Sequence, residues 1–413
     1  MPQKPTRRVP TWPEIRAGWR PNATTVLRFA VGFMFVGACV RLRSEGWRLL
    51  CDPERLGGID LRLRHGDVAR WFAGLPVYTG PSHAGYPPAS QALLWPFVGW
   101  LDAWQARWFW GFTTAIAVAA LTAVAIRESR AETTLERLFI ALIFVSTYPA
   151  PITIGNGQLG IHVLTAMLCG LLLIRSGRTP SWRGDLTATA LLLLATIKPS
   201  VTAPIFWVAL FVPGRMRPLL LLGAGYVSLT LFAASFQPDR LVKLFRDLAA
   251  FSAEVMGTDP TPSLAAWMSL LGLQRWTLVA AAATFALCGV WVFRHRHADF
   301  WIVVGVSAII ARLWTYHQLY DDLLVFPAMI ALYRIANGGE QEDGTDVLAG
   351  ILLAITLAGQ LAPGRLHLYP SPWHLPYTIG EPLVWITVLV FLAAYARRHG
   401  SPARESARVA AAV

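Results

Sequence analysis

Residues 185–213 read DLTATALLLLATIKPSVTAPIFWVALFVP. Two apolar stretches, 185–197 and 200–213, flank a lysine and a proline. Pro199 has no N–H and its ring collides with the preceding turn, so one helix stops before it and another starts on it. Each stretch is shorter than the roughly 20 residues that carry a helix across a bilayer. The pattern reads as two half-helices that end inside the protein, with Lys198 at the join. A lysine there is costly unless it is paired or wet. The competing reading is a stem that snorkels to the interface.

The rest of the chain repeats the apolar theme without the break. Apolar runs lie at about 24–40, 104–126, 136–152, 158–174, 218–236, 276–293, 299–315, 319–335, 347–362 and 379–396, making about twelve spans with the two short ones. The 413 residues are 55% hydrophobic and only 15% charged, with a mean hydropathy of +0.46. A soluble protein is about 25% charged. That excludes a soluble globular, disordered, coiled-coil or collagen-like chain, and makes lipid the solvent for most of it. Eighteen Trp fit two wet interfaces. The piece ASQALLWPFVGWL, 89–101, follows Pro87-Pro88 and reads as an interfacial or re-entrant helix. The fold expected is all-α and polytopic.

Charge gives the orientation. With the N-terminus inside, the inside segments hold 20 basic residues and the short outside loops hold two, Lys198 and Arg365. The expected organisation is a basic cytoplasmic tail over 1–23, a transmembrane domain over 24–396 with long outer loops at 41–103 and 237–275, and a second cytoplasmic tail over 397–413. The second outer loop opens DRLVKLFRDLAAF, an amphipathic pattern suited to a membrane surface. The net charge of +12 sits in loops between apolar runs, which points to membrane lipid rather than nucleic acid. Four cysteines without CxxC spacing imply neither a disulfide frame nor a zinc site. The localisation expected is the cytoplasmic membrane, multi-pass.

The inside loops are bland, and the chemically unusual residues gather outside. GGIDLRLRHGDVARWFAGLPVY, 57–78, carries Asp60 in a basic amphipathic stretch. A carboxylate near the membrane surface can act as general base on a sugar hydroxyl, and arginines such as Arg64 can hold a lipid phosphate bidentately. Asp67 is the competing carboxylate, and a solvated interfacial helix is the plain alternative. GYPP at 85–88 is a turn that starts a new helix. GNGQLG at 155–160 opens a span with Gln158, an amide able to bond a sugar or merely to cap the helix. Lys198 is one of only three lysines in an arginine-rich chain, which suits a phosphate contact. ARLWTYHQLYDDLLVFP, 311–327, brings Arg312, His317, Asp321 and Asp322 to the outer end of two spans. On one helix His317 and Asp321, four apart, share a face. They suit an acid/base pair, a phosphate-and-sugar clamp or a wet turn; a metal pair lacks a third ligand. His367 and His374, in the last outer loop, suit a cover over the site.

The order of these motifs resembles glycosyltransferase family 87, the polyprenyl-phosphate-mannose-dependent mannosyltransferases of the GT-C superfamily. The features are D-x13-G-x3-Y in the first outer loop, then YPP, GQ, KP and a late histidine/acidic turn, over about residues 24–396. The resemblance implies a GT-C-type bundle of about twelve transmembrane helices with interfacial helices on its outer face. It implies an inverting, metal-independent transfer from an outer-leaflet polyprenyl-phosphate sugar, with no cofactor, to a lipid or glycan acceptor. By it Asp60 is the catalytic aspartate, Lys198 lies at the donor phosphate, and His317, Gln158 and Tyr86 fall on family positions. The LYDD sequence departs from the usual longer polar stretch, so Asp321 and Asp322 carry no assigned role.

Two other readings compete. One is a transferase using an arabinofuranosyl or glucosyl carrier. The other is a lipid or glycan transporter, which broken helices and buried charges would suit, although the unusual residues gather at one face and no internal repeat is present.

Overall fold

The computed structural model describes residues 12–52, 57–78, 85–175, 181–212, 215–258, 263–338, 344–361 and 379–399. Among them the structure is helical throughout, with no strand. The helices are α1 (Trp12–Leu50), α2 (Ile59–Phe72), α3 (Pro88–Val98), α4 (Ala103–Ser129), α5 (Thr134–Ser146), α6 (Pro149–Asn156), α7 (Gly160–Arg175), α8 (Trp182–Ala195) and α9 (Pro199–Phe211). They continue as α10 (Met216–Ala234), α11 (Leu241–Thr258), α12 (Leu264–Leu270), α13 (Thr277–Arg294), α14 (Phe300–Leu313), α15 (Phe326–Ala336), α16 (Thr345–Leu361) and α17 (Glu381–His399). A 3₁₀ segment, Leu319–Val325, precedes α15.

The helix ends follow local rules. Asp102 with Gln105 and Thr133 with Glu136 form reciprocal capping boxes at the starts of α4 and α5. Ser181 caps α8 and Asp299 caps α14 through their side-chain oxygens. Proline opens α3, α6, α9 and α15, where a missing N–H removes nothing from the helix.

Burial then sorts the helices. Helices α7, α14 and α15 are buried nearly all round and form the centre of the core. Helices α1, α10 and α13 instead turn large apolar side chains outward, among them Phe29, Phe33 and Val36 of α1. An apolar outer surface on an apolar core is the pattern of a membrane protein. Among the described residues, four helical stretches are long and apolar enough to cross a bilayer: Thr24–Leu50, Ala103–Ser129, Met216–Ala234 and Gln274–Arg294. A fifth forms if α5 and α6, bent by 49°, count as one broken span.

Among the described residues that is fewer than the twelve spans expected, on a test of helix length and composition alone. Helix α14 ends, and α8 gives way to α9, where the chain leaves the helix to build polar turns. Helices α7, α9, α14 and α16 are apolar but have fewer than 18 residues. Helix α1, 39 residues long, also runs on through positions expected in the first tail and at the start of the first outer loop. The amphipathic start of the second outer loop is α11, and the short piece after Pro87-Pro88 is α3.

These cuts fall together. Helices α6, α8 and α14 end, and α2, α3, α7 and α9 begin, around one cluster of polar side chains.

Candidate active site

Asp60 sits in the first turn of α2, and three glycines, Gly58, Gly155 and Gly157, let it sit there. Gly58 is the α2 N-cap, with φ of 60° in the left-handed region that glycine adopts without penalty. Its N–H donates to the Gly155 carbonyl at 3.0 Å. Gly157 caps α6 with φ of 68°, and a Cβ there would lie 2.6 Å from the Leu61 Cβ. The start of α2 therefore rests directly on the turn between α6 and α7, which is why both turns are glycine-rich. The turn hands its next residue to the site. Gln158 is 5% exposed, its N–H donates to Thr153 O, and its carboxamide hydrogen-bonds the Asp60 carboxyl. Burial pushes the Asp60 carboxyl above its ordinary range, opposed by the Gln158 hydrogen bond and the positive charges of Arg64 and Lys198.

Lys198 stands where Pro199 forces the break between α8 and α9. Its Nζ lies 2.6 Å from Asp321 Oδ1 and 5.1 Å from the centre of the Tyr320 ring. The other oxygen, Asp321 Oδ2, accepts from the Gln318 N–H at 3.3 Å and lies 3.2 Å from His317 Nδ1. Burial alone would raise the Asp321 carboxyl, but Lys198 and His317 hold it well below the usual carboxylate range. Burial pushes the His317 imidazole down, so it is neutral at physiological pH. A neutral ring then keeps its proton on Nδ1 for Asp321, with Nε2 as the acceptor beside Thr315 Oγ1 at 3.3 Å.

The pair His317 and Asp321 is thus real, but not on one helix. His317 lies in the extended stretch before the 3₁₀ segment, and the pairing comes from a tight turn.

Arg64 forms the opposite wall. It pairs with Asp67 at 2.8 Å and lies 4.6 Å from the centre of the Tyr86 ring. Tyr86 is fixed by its backbone, since its carbonyl accepts from Tyr78 Oη at 2.6 Å. Asp67 is therefore the partner of Arg64, while Asp60 carries the neutral amide. Seven of the expected residues meet in this one cluster: Asp60, Arg64, Tyr86, Gln158, Lys198, His317 and Asp321.

Arg312 and Asp322 do not. Both are fully buried and form a salt bridge with each other. Tyr148 hydrogen-bonds Asp322 and lies 3.3 Å from Glu381 Oε2, and Gln360 Nε2 donates to Asp322 O at 3.2 Å. Arg312 lies 5.0 Å from the Trp385 ring centre. This set packs behind the 3₁₀ segment and braces it. His367 and His374 lie outside the described residues. Among the described residues, no three His, Cys, Asp or Glu side chains converge as metal ligands.

Sequence reasoning passed over one residue here. Tyr320 lies within the quoted ARLWTYHQLYDDLLVFP run, but nothing in its spacing marked it.

The arrangement offers a half-buried carboxylate held by an amide, the positive charges of Arg64 and Lys198 acting on it, and aromatic walls. That is machinery for taking a proton from a hydroxyl beside a negatively charged leaving group. The family model for glycosyltransferase family 87 matches residues 85–336, more than half the chain. The match includes Tyr86, Gln158, Lys198, His317 and Asp321 and begins after Asp60. No curated protein and no solved structure matches.

Proposed function

This chain belongs to glycosyltransferase family 87 and is a membrane glycosyltransferase, and on that premise we propose that it moves a hexose, mannose, from a polyprenyl-phosphate carrier to a lipid or glycan acceptor. In this reading the site faces the outer side of the cytoplasmic membrane, and transfer inverts the anomeric carbon without metal or cofactor. Asp60 takes the proton of the acceptor hydroxyl. The oxygen attacks the anomeric carbon from the face opposite the phosphate. The bond to the phosphate breaks through an oxocarbenium-like transition state, and its electron pair stays on the lipid phosphate. Lys198 has three N–H donors; with one directed at Asp321, the others meet the developing phosphate charge. His317 fixes Asp321, and Asp321 fixes Lys198.

The observation that supports this most is the position of Asp60. It is half-buried, held by Gln158, and within electrostatic reach of Lys198 and Asp321, which are themselves paired. A base raised by burial is suited to a proton transfer near neutral pH.

The test is transfer of label from polyprenyl-phosphate-mannose to membrane lipids in vesicles holding purified protein. Labelled product with wild type and none with folded Asp60→Ala is the expected result. Label transferred equally by both proteins would remove Asp60 from the chemistry. Transfer only from a glucosyl or arabinofuranosyl carrier would keep the mechanism and change the sugar.

A further inference from the structure

One side chain of α4 holds the place where α2 starts against the end of α1. The last carbonyls of a helix have no intrahelical partner. At the end of α1 the Trp47 carbonyl accepts from the Cys51 and Asp52 N–H groups, and the next two carbonyls are taken by a side chain. Arg107, 4% exposed, donates from Nε to Leu49 O and from Nη2 to Arg48 O at 3.0 Å. The same Nη2 donates to Asp52 O at 2.8 Å. A cation is favoured at a helix C-terminus. The planar fork fixes these carbonyls in one geometry, which the single ammonium of a lysine cannot do.

The guanidinium also lies against the two glycines from which α2 starts. A Cβ on Gly57 would stand 2.6 Å from Arg107 Nη2 and 2.3 Å from Arg48 O, and one on Gly58 would stand 3.8 Å from Arg107 Nε. From the other side the Gly57 carbonyl accepts from Arg62 Nη2 at 2.7 Å. The end of α1 bears on the second glycine turn as well. A Cβ on Gly155 would strike the Glu45 carboxylate and the Arg48 guanidinium, and Arg48 Nη2 donates to Asn156 Oδ1 at 2.6 Å. Leu49 touches both turns, 3.4 Å from a Cβ on Gly58 and 3.6 Å from one on Gly157. Residues 45–49 are thus a common bed for the turn that delivers Asp60 and the turn that delivers Gln158.

We propose that Arg107 is a positioning residue for Asp60: by pinning the end of α1 beneath Gly57 and Gly58, it sets the carboxyl against Gln158 and ready for the acceptor hydroxyl. This rests on the reading of Asp60 as the base. Ending a helix needs no more than a glycine, and a buried guanidinium is a costly way to do it. What the fork adds is a fixed distance between three backbone segments. A reacting group misplaced by about 1 Å can lose about a hundredfold in rate.

The test is Arg107→Lys in vesicles, with labelled polyprenyl-phosphate-mannose as donor and rates taken per folded molecule. It should lower kcat about a hundredfold and leave the donor KM unchanged, as expected when only the transition state loses an interaction. The acid limb of the pH profile should move up. Asp60 keeps the burial that raises its pKa and loses the Gln158 hydrogen bond that favours its ionised form, while Arg64, Lys198, Asp321 and Tyr320, which also act on it, are unaltered. Gly57→Ala removes no charge and drives a methyl group between Arg107 and Arg48 O, so it should reproduce both changes and decides the case in which Arg107→Lys does not fold. In an Asp60→Asn background, Arg107→Lys should lower the residual rate by less than about threefold, because the two act through one group. Arg215→Lys is the control: Arg215 also donates to a carbonyl, Leu173 O, and its change should lower the melting temperature and keep kcat. Wild-type kcat in folded Arg107→Lys and Gly57→Ala, an equal kcat loss in Arg215→Lys, or a full hundredfold loss on top of Asp60→Asn would overturn the proposal. Wild-type transfer by Asp60→Asn refutes the base reading itself, whereas an inactive Asp60→Asn beside an active Arg107→Lys refutes only the positioning.

Discussion

The two ends of α8 hold the same ingredients and use them differently. Asp185 lies in its first turn and Lys198 just past its last, roughly 20 Å apart at 1.5 Å per residue. At the Asp185 end both carboxylate oxygens are taken, Oδ1 by Arg215 at 2.8 Å and Oδ2 by Arg217 at 3.1 Å. Arg215 also donates to Leu173 O, and Arg217 stacks on Trp182. The aspartate is at a helix N-terminus, where the dipole favours it. Each group there ties one helix to another: α7, α8 and α10 are stitched together.

At the Lys198 end the cation sits between a helix that ends and a helix that begins, so the two dipoles oppose each other. Lys198 and Arg64 each have a carboxylate partner, while Asp60 has a neutral amide and only shares their charge. Closed pairs fix helices. A carboxyl left with a shared cation keeps its proton longer and can exchange it.

The largest effect expected from this contrast is on turnover. Asp60→Asn keeps the shape and the Gln158 contact, and should lower transfer per folded protein by about a thousandfold or more without lowering the melting temperature. Label transfer and thermal melting on the same vesicles check both. Activity near wild type would erase the distinction between the two ends.

Next is Lys198→Met. It strands the buried Asp321 carboxylate and should cost about 3–5 kcal/mol of stability, read by denaturant or thermal unfolding, and abolish transfer. Adding Asp321→Asn should return most of the stability and none of the transfer. Recovery of both would make Lys198 a purely structural pair, like those at the other end.

Asp185→Asn is the matched change there. It weakens two ion pairs, one to a half-exposed arginine, and should cost about 1–3 kcal/mol. Turnover per folded molecule should stay as in wild type, and a drop in it would mean that the two ends are coupled through α8.

The smallest effect is a displaced pH limb. Asp60 must be ionised to act as base, and burial raises its pKa, so transfer should rise with pH through a midpoint above the ordinary carboxylate range. Arg64→Met removes a charge that favours ionised Asp60 and should move that limb further up. Asp185→Asn should leave it in place.

Much of this was readable in the chain and some was not. The membrane class followed from composition, and the break at Lys198-Pro199 from proline chemistry alone. Asp60, Tyr86, Gln158, Lys198 and His317 stand together in space as their order along the chain suggested. The ends of the short helices did not follow, because hydropathy runs through Lys198 and Leu319–Val325, which leave the α-helix to form the site. Arg312 read as part of a phosphate-and-sugar group with His317 at the outer end of its span, but Asp322, ten residues on, accounts for it. Asp321 had no assignable role, since its partner Lys198 lies far away in sequence and no periodicity records such a pairing.

The clasp between Gly58 and Gly155 has a consequence for how the enzyme comes into being. A chain inserted from its N-terminus delivers α2 well before α6 and α7 are made. Until the later turn arrives, the helix bearing Asp60 has no seat and the carboxyl has no Gln158 to face. Such distant closures are slow to form, so the newly made protein passes through a period when it is helical and inserted but the Asp60 carboxyl is not yet set in the site. A glycosyltransferase built this way is thereby silent until most of its core is in place.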